Sequence, residues 1–369
     1  MRVALVHDWL TGMRGGEKVL DALCDVFPGA DIFTLVWVKG SVSPAIEARR
    51  ITASAIQWLP GAHRFYRQYL PLFPFAIEQM DLDAYDLVVS TSHCAAKSVV
   101  VTGRARHLCY CLTPMRYAWD QFEAYFGAER VGAVRSRLLR PVLARLARWD
   151  RDTAGRAHRY LAISQHVARR IAVYYNRQST IVHPPVDTVF FTPDAAPVSH
   201  RFLVVSALVP YKRVDLAIAA ARRAGVALTI VGDGPERATL ERLAGNGVEL
   251  VGWRSDEEVR ALYRTSIGTV LPGEEDFGIV PVEAQACGRP VVALGCGGAL
   301  DTVVPGVTGV LVDEASVESL AAGLGAAMTR DWDGAVIRAN AERFSRDRFT
   351  RAIAAAADEL LTAPADEQW

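Results

Sequence analysis

Glu275 and Glu283 stand on either side of Asp276-Phe277-Gly278-Ile279-Val280, in a stretch that follows an apolar run ending at Leu271. The pattern predicts a strand to Leu271, a loop carrying Glu275 and a helix starting near Gly278. The amides of Gly278, Ile279 and Val280 are then donors that a helix N-terminus leaves without intrahelical acceptors, a ready site for an anion. Glu283 falls about 1.5 turns further along the helix, too far to hold the same atoms as Glu275 but within reach of a larger ligand. On spacing alone, a loop charge and a solvated helix face fit the two carboxylates as well as a ligand site does. His93, at the end of an apolar run from Leu87, reads equally as a structural histidine or as the edge of a site.

Other candidate chemistry is weaker. Gly12-x-x-Gly15-Gly16 departs from the dinucleotide fingerprint and reads as a tight turn, and a nicotinamide-dependent dehydrogenase is disfavoured. The six cysteines are scattered, and Cys109-Tyr110-Cys111 has the wrong spacing for zinc. They read as small, buried, reduced residues. Three Asp-x-Asp pairs, Asp81/Asp83, Asp150/Asp152 and Asp331/Asp333, read as surface charge, and no metal site is expected.

The elements that must position these residues follow a βα rhythm. Val3–Val6, Asp31–Val36, Leu87–Ser90, Leu108–Cys111 and Tyr160–Ile163 read as strands separated by helical stretches, the first of them Glu17 to Phe27. Pro184, Pro185, Pro193 and Pro197 mark a hinge, after which the rhythm restarts. Phe202–Ser206, Ala227–Val231, Glu249–Val251, Gly268–Leu271, Val291–Ala293 and Gly309–Val312 read as strands, and Phe344 to Leu361 as one or two alanine-rich helices. The expected architecture is α/β: residues 1–187 and 188–345 as two units with parallel sheets, and residues 346–369 as a helical segment packing back on the first.

Lys and Arg number 41 and Asp and Glu 41, and 51% of the 369 residues are hydrophobic, a globular composition. Neutrality argues against nucleic-acid binding. It is a cancellation, however. To Phe190 the chain carries 24 basic and 16 acidic residues, a surplus of 8 positive charges that the remainder reverses. The N-terminus reads as a strand and not a signal peptide, and no apolar run approaches the roughly 20 residues that span a bilayer. The location expected is cytoplasmic, either free or peripheral at the inner face of the cytoplasmic membrane.

With Glu275-x7-Glu283 enclosing Phe277-Gly278, then Gly288-x-Pro290-Val291-Val292, the chain resembles the retaining family 4 glycosyltransferases. The resemblance implies the GT-B fold, two Rossmann-like domains facing across a cleft, residues 1–187 binding acceptor and 188–345 binding a nucleotide-sugar. It implies that Glu283 holds the donor's ribose and Glu275 the transferred sugar, with the amides of Phe277, Gly278, Ile279 and Val280 near sugar and diphosphate. Ser206-Ala207-Leu208-Val209-Pro210-Tyr211-Lys212-Arg213 resembles the loop that supplies cations to the leaving diphosphate, here Lys212 and Arg213, with Ala207 where many relatives carry Arg. Gly15 and Gly16 match the glycine loop near the diphosphate, and Gly252 a loop near the base. These cations and amides replace a metal, so the resemblance implies neither metal nor cofactor.

The first half is similar to a narrower subgroup, the O-antigen-type mannosyltransferases. His7-Asp8-Trp9-Leu10-Thr11-Gly12 and Thr113-Pro114-Met115-Arg116-Tyr117 carry that similarity, with Leu112 where many relatives have His. Mannose transfer from GDP-mannose to a lipid-linked or surface polysaccharide acceptor is the implied reaction, with His93, Arg116 and Tyr117 on the acceptor side. A nucleotide-sugar epimerase of the same shape and a non-catalytic nucleotide-sugar binding module are the alternatives. From Arg130 to Arg159 nine Arg face only Asp150 and Asp152, with Val131, Val134, Leu138, Val142, Leu146 and Trp149 along one side. That helix suits either docking on the core or the interface of an anionic membrane, as does the aromatic, Arg- and Pro-rich stretch Leu59–Phe75.

Overall fold

The computed structural model describes residues 1–364. It divides into two compact units, one formed by Met1–Pro185 with the stretch from Phe349 onward, the other by Val186–Arg348. The last five residues of the segment 346–369 lie outside the described residues.

In the first unit, seven parallel strands, β1 (Val3–His7), β2 (Asp31–Thr34), β3 (Ile51–Ala53), β4 (Leu87–Ser92), β5 (Arg106–Cys111), β6 (Arg159–Ala162) and β7 (Thr180–Ile181), run in the order 3-2-1-4-5-6-7. All of β1 and β4 is buried, as apolar strands covered on both faces require. The order reverses between β1 and β4, so the chain leaves these two neighbours in opposite directions and opens a crevice at their C-terminal ends. The sequence pattern did not reveal β3 or β7, which have three and two residues and carry no long apolar run.

Val186–Arg348 repeats the plan with six parallel strands, β8 (Arg201–Val205), β9 (Ala227–Val231), β10 (Val248–Gly252), β11 (Thr269–Leu271), β12 (Val291–Leu294) and β13 (Gly309–Val312). Their order is 10-9-8-11-12-13, with the reversal between β8 and β11. Both sheets are therefore parallel, as the βα rhythm predicts, and Rossmann-like, as the family resemblance implies. The helix Arg346–Thr362 closes the described chain, and from Phe349 it belongs to the first unit. There Phe349 meets the Tyr110 ring edge-on at 5.4 Å, and Arg159 on β6 reaches Glu359 at 2.6 Å.

One expectation fails at Asp150. It is fully buried rather than surface charge, with Lys97 Nζ 3.0 Å away and Trp119 Nε1 and Tyr175 Oη donating to it at 2.7 and 2.9 Å. A carboxylate removed from water persists only when paired and hydrogen-bonded in this way. The pair fixes the helix Ala133–Asp152 to the turn at Ala96–Ser98. That helix divides the two readings of its sequence. Leu143 and Leu146 are buried with Val142 and Trp149 packed beside them, whereas Val134 and Leu138 stay 75% and 66% exposed. Among the described residues no helix is long and apolar enough to cross a membrane.

Buried histidines give this unit a pH dependence. Desolvation lowers the imidazoles of His7 and His107 to about 3, while the unfolded chain protonates near 6.5. The unfolded state therefore binds more protons below neutrality, so stability is full above pH 6.5 and falls as the pH drops toward 3. Each histidine contributes a slope of up to roughly 1.4 kcal/mol per pH unit. Denaturant unfolding between pH 7 and pH 5 should show this loss, and His107→Gln should make its pH dependence shallower.

Candidate active site

In the second unit the loops leaving β8 and β11 lie at the strand-order reversal. The β8 loop tightens into a 3-10 turn at Pro210–Lys212, then passes through Arg213, whose φ of 52° is left-handed, into the helix Val214–Ala224. The β11 loop crosses directly over it. A Cβ on Gly273 would lie 2.8 Å from the carbonyl oxygen of Tyr211 and 2.9 Å from that of Lys212, a separation only glycine permits. This contact brings Lys212 Nζ into an ion pair with Glu275 Oε1, with both side chains more than four-fifths buried.

A second glycine pair holds the β11 loop from its other side. The Gly298 amide donates to the Glu275 carbonyl at 2.7 Å, and a Cβ on Gly298 would come within 2.2 Å of Phe277 Cα. Phe277 is buried against Phe344, with ring centroids 5.5 Å apart. At Gly278, φ is 87°, and the helix Ile279–Ala286 begins at the next residue, close to where the sequence pattern places it. The amides of Gly278, Ile279 and Val280 thus open the helix beside the Lys212–Glu275 pair, in the arrangement that accepts an anion.

Glu283 lies further along this helix, buried, and accepts from Tyr263 Oη at 3.1 Å. Burial and the neighbouring carboxylate push the Tyr263 phenol well up, which keeps it a donor. Sequence reasoning missed Tyr263. Its helix, Asp256–Thr265, gives an ordinary amphipathic signal that does not distinguish a polar anchor from a core aromatic. On the helix Ile279–Ala286 itself, Gln285 joins Thr302 and Asn340 in a buried network, with Asn340 Nδ2 donating to Gln285 Oε1 at 2.6 Å and to the Thr302 carbonyl at 2.9 Å.

Two predicted residues of this unit stand apart from the pair. Arg213 turns its guanidinium onto Asp215, Nε to Oδ1 3.2 Å, at a half-exposed position. Gly252, φ 76°, ends β10, separated from β8 by β9; a Cβ there would meet Arg237 Nη1 at 3.0 Å.

The first unit places its candidates around its own strand-order reversal. Gly15 and Gly16 open the helix Gly15–Val26, and a Cβ on Gly16 would meet Leu112 Cδ1 at 3.1 Å and His7 Cε1 at 3.3 Å. Asp8, just past β1, is the organising residue here. Its Oδ2 accepts from the amides of His93 and Cys94 at 2.8 and 2.9 Å, and its Oδ1 from those of Ala95 and Ala96 at 2.6 and 2.8 Å. Nδ1 of His93 lies 3.1 Å from Asp8 Oδ2. Even so, burial lowers the His93 imidazole; Asp8 opposes the shift, and the charges of Arg67, Arg116 and Arg14 add to it. Burial is thus the main reason the ring stays neutral, with the Asp8 carboxylate and the three arginines acting in opposite senses. Tyr117 turns inward, its Oη 2.8 Å from Cys94 Sγ. Nothing in the spacing of Asp8 foretold four amide partners contributed by residues 85 to 88 positions away.

Among the described residues no group of three or more His, Cys, Asp or Glu is placed to hold a metal ion. What the second unit offers is a cation, a carboxylate and a helix N-terminus at one sheet edge, with a second buried carboxylate behind them. That set can hold an anionic group joined to a polyhydroxylated one.

Residues 192–344 match the family model described as glycosyl transferases group 1. The chain is 30% identical, over 69% of its length and 66% of the relative's, to the D-inositol 3-phosphate glycosyltransferase of Mycobacteroides abscessus. It is 34% identical, over 44% of its length and 51% of the relative's, to the GDP-mannose-dependent alpha-(1-6)-phosphatidylinositol monomannoside mannosyltransferase of Mycolicibacterium smegmatis. These matches span about half to two thirds of the curated relatives. In fold it is similar to HepE of Anabaena, solved in complex with UDP-glucose, with a TM-score of 0.72 and 19% identity over 97% of this chain and 99% of that one. The architecture is GT-B.

The glycine contacts make a direct prediction. Gly298→Ala, forced against the Phe277 backbone, should lower unfolding stability by about 2–4 kcal/mol. Gly325→Ala, inside the helix Val317–Thr329 and with nothing within 4 Å of its Cβ, should raise it by about 0.5–1 kcal/mol. Chemical denaturation of the full chain measures both.

Proposed function

We propose that this chain is a retaining glycosyltransferase that moves mannose from GDP-mannose onto a lipid-linked saccharide. The observation that carries the reading is the Lys212–Glu275 pair at the strand-order reversal, inside the segment that matches the glycosyl transferases group 1 model. In this reading the donor separates the pair. Lys212 turns to the diphosphate, Glu275 accepts from hydroxyls of the sugar, and the amides of Gly278, Ile279 and Val280 face the phosphates. Glu283, held by Tyr263, takes the ribose hydroxyls. The acceptor oxygen bonds to the anomeric carbon as its bond to the diphosphate breaks, on the same face. The acceptor's proton passes to the departing phosphate, so no protein nucleophile and no metal is required.

Catalysis then rests on stabilising charge that develops on the leaving diphosphate, the role of fixed donors at a sheltered site. Arg213 contributes only by leaving Asp215. In the first unit, Arg14 and Arg116, whose charges act on His93, suit the phosphate of a lipid-linked acceptor. Support for mannose comes from the GDP-mannose-dependent relative and from the mannosyltransferase-like motifs of the first half. Ala207 and Leu112 favour a second reading, a binding module without turnover.

A thermal-shift screen of GDP-, UDP-, dTDP- and ADP-sugars tests the donor, since a bound ligand stabilises the fold by mass action. GDP-mannose should give the largest rise, and a response to a UDP-sugar with none to GDP-mannose overturns the assignment. Transfer assays should show Lys212→Ala losing roughly 10²–10³-fold in kcat, with Glu275→Gln also impaired. Donor binding by the wild type without transfer or hydrolysis would favour the module, and conversion of the donor sugar without an acceptor would favour an epimerase.

A further inference from the structure

From Ala48 to Ile77 the first unit contains no Asp or Glu. This stretch folds after β3 into four short helical turns, Ala55–Trp58, Ala62–Phe65, Tyr66–Leu72 and Phe73–Glu78, packed on one another. Ile56, Tyr66, Leu70, Phe73 and Ile77 face inward and belong to the core cluster. Other large side chains of the stretch face out. Trp58 is 86% exposed, Phe75 66%, Leu72 46% and Phe65 45%. Exposed apolar side chains are ordinary when scattered; four large ones within eighteen positions, two of them nearly bare aromatics, mark a contact surface.

The charge around them indicates which surface they contact. Arg64 lies over the Phe65 ring at 5.3 Å and Arg67 over the Tyr66 ring at 5.2 Å, and the one carboxylate of the four turns, Glu78, is taken up by Arg156 and Trp149. The helix Ala133–Asp152, which shares the same core cluster through Leu143 and Leu146, repeats the pattern. Its Val134 and Leu138 are exposed beside Arg135 and Arg137, while Arg140 pairs with Glu123. Aromatic and aliphatic tips interleaved with arginine fit the interface of a bilayer with anionic headgroups, where rings enter the acyl boundary and guanidinium groups meet lipid phosphate. A second protein with a flat apolar face would leave these arginines desolvated and unpaired.

We infer that the segment 55–78 is a membrane-docking surface that inserts Trp58 and Phe75 into an anionic bilayer while Arg64 and Arg67 engage lipid phosphate. This goes beyond the transfer reaction and does not depend on it, because vesicle binding is read without any sugar being moved. The test is flotation of the full chain with phosphatidylcholine vesicles, with and without phosphatidylglycerol, at low and high salt. The wild type should float with the anionic vesicles at low salt and be released by high salt. Trp58→Ser combined with Phe75→Ser, and separately Arg64→Glu combined with Arg67→Glu, should each cut the bound fraction roughly tenfold. Their melting temperatures and donor-induced stabilisation should be unchanged. Absence of wild-type flotation, equal binding to neutral vesicles, or undiminished binding of the aromatic variant overturns the proposal. Sedimentation showing a wild-type dimer that the aromatic variant abolishes would also overturn it, assigning the surface to a second copy.

Discussion

Backbone laid directly on backbone at the C-terminal edge of the second sheet is the constraint on which the candidate site depends. Gly232 and Gly234, in the loop after β9, leave no room for a Cβ against the carbonyls of Ser206 and Leu208 in the loop after β8. Gly273 meets the carbonyls of Tyr211 and Lys212, and Gly297 and Gly298 meet the backbone of Glu275 and Phe277. Four loops are interlocked in this way without side chains between them. The result is a lysine and a glutamate held together from positions 63 residues apart, beside the first amides of a helix. Preorganisation of this kind is what a site for developing charge needs, because polar groups that must reorient during reaction forfeit much of their effect.

The first unit reaches similar order by a different route. Its reversal point is tied by Asp8, whose two oxygens take four consecutive amides after β4, while Asp150 and Lys97 tie a long helix to the turn that follows. Buried carboxylates are costly unless fully engaged, and both are engaged several times over. Around these anchors the periphery remains open. Trp58, Phe75, Val134 and Leu138 stand in solvent although the core lies directly beneath their neighbours. The unit is thus rigid where the strand order reverses and unsaturated along one stretch of its surface.

Much of the fold was legible in the sequence because parallel strands covered on both faces leave continuous apolar runs. Ala227–Val231 and Gly309–Val312 emerge at the expected bounds, and the others shift by a few residues. The short edge strands β3 and β7 do not announce themselves, since so few residues at a sheet edge need no apolar run. Within the site, Gly278 and the helix after it were readable from local pattern. Tyr263, Asp8 and Asp150 were not, because each acts through a partner remote in the chain or through burial.

The sequence by itself determined the two-unit α/β plan, the charge division between its halves and the candidate site residues, Lys212, Glu275 and Glu283 among them. These are properties of composition, period and local motif. Only the tertiary structure decided which of those residues meet. Lys212 pairs with Glu275 while Arg213, its neighbour in the chain, turns to Asp215. It also decided that one Asp of an apparently superficial pair is fully buried, and which apolar side chains of an arginine-rich helix reach the core. The reason is physical: pairing and burial depend on the path of the backbone through distant glycines and strands, and spacing along a chain carries no record of that path.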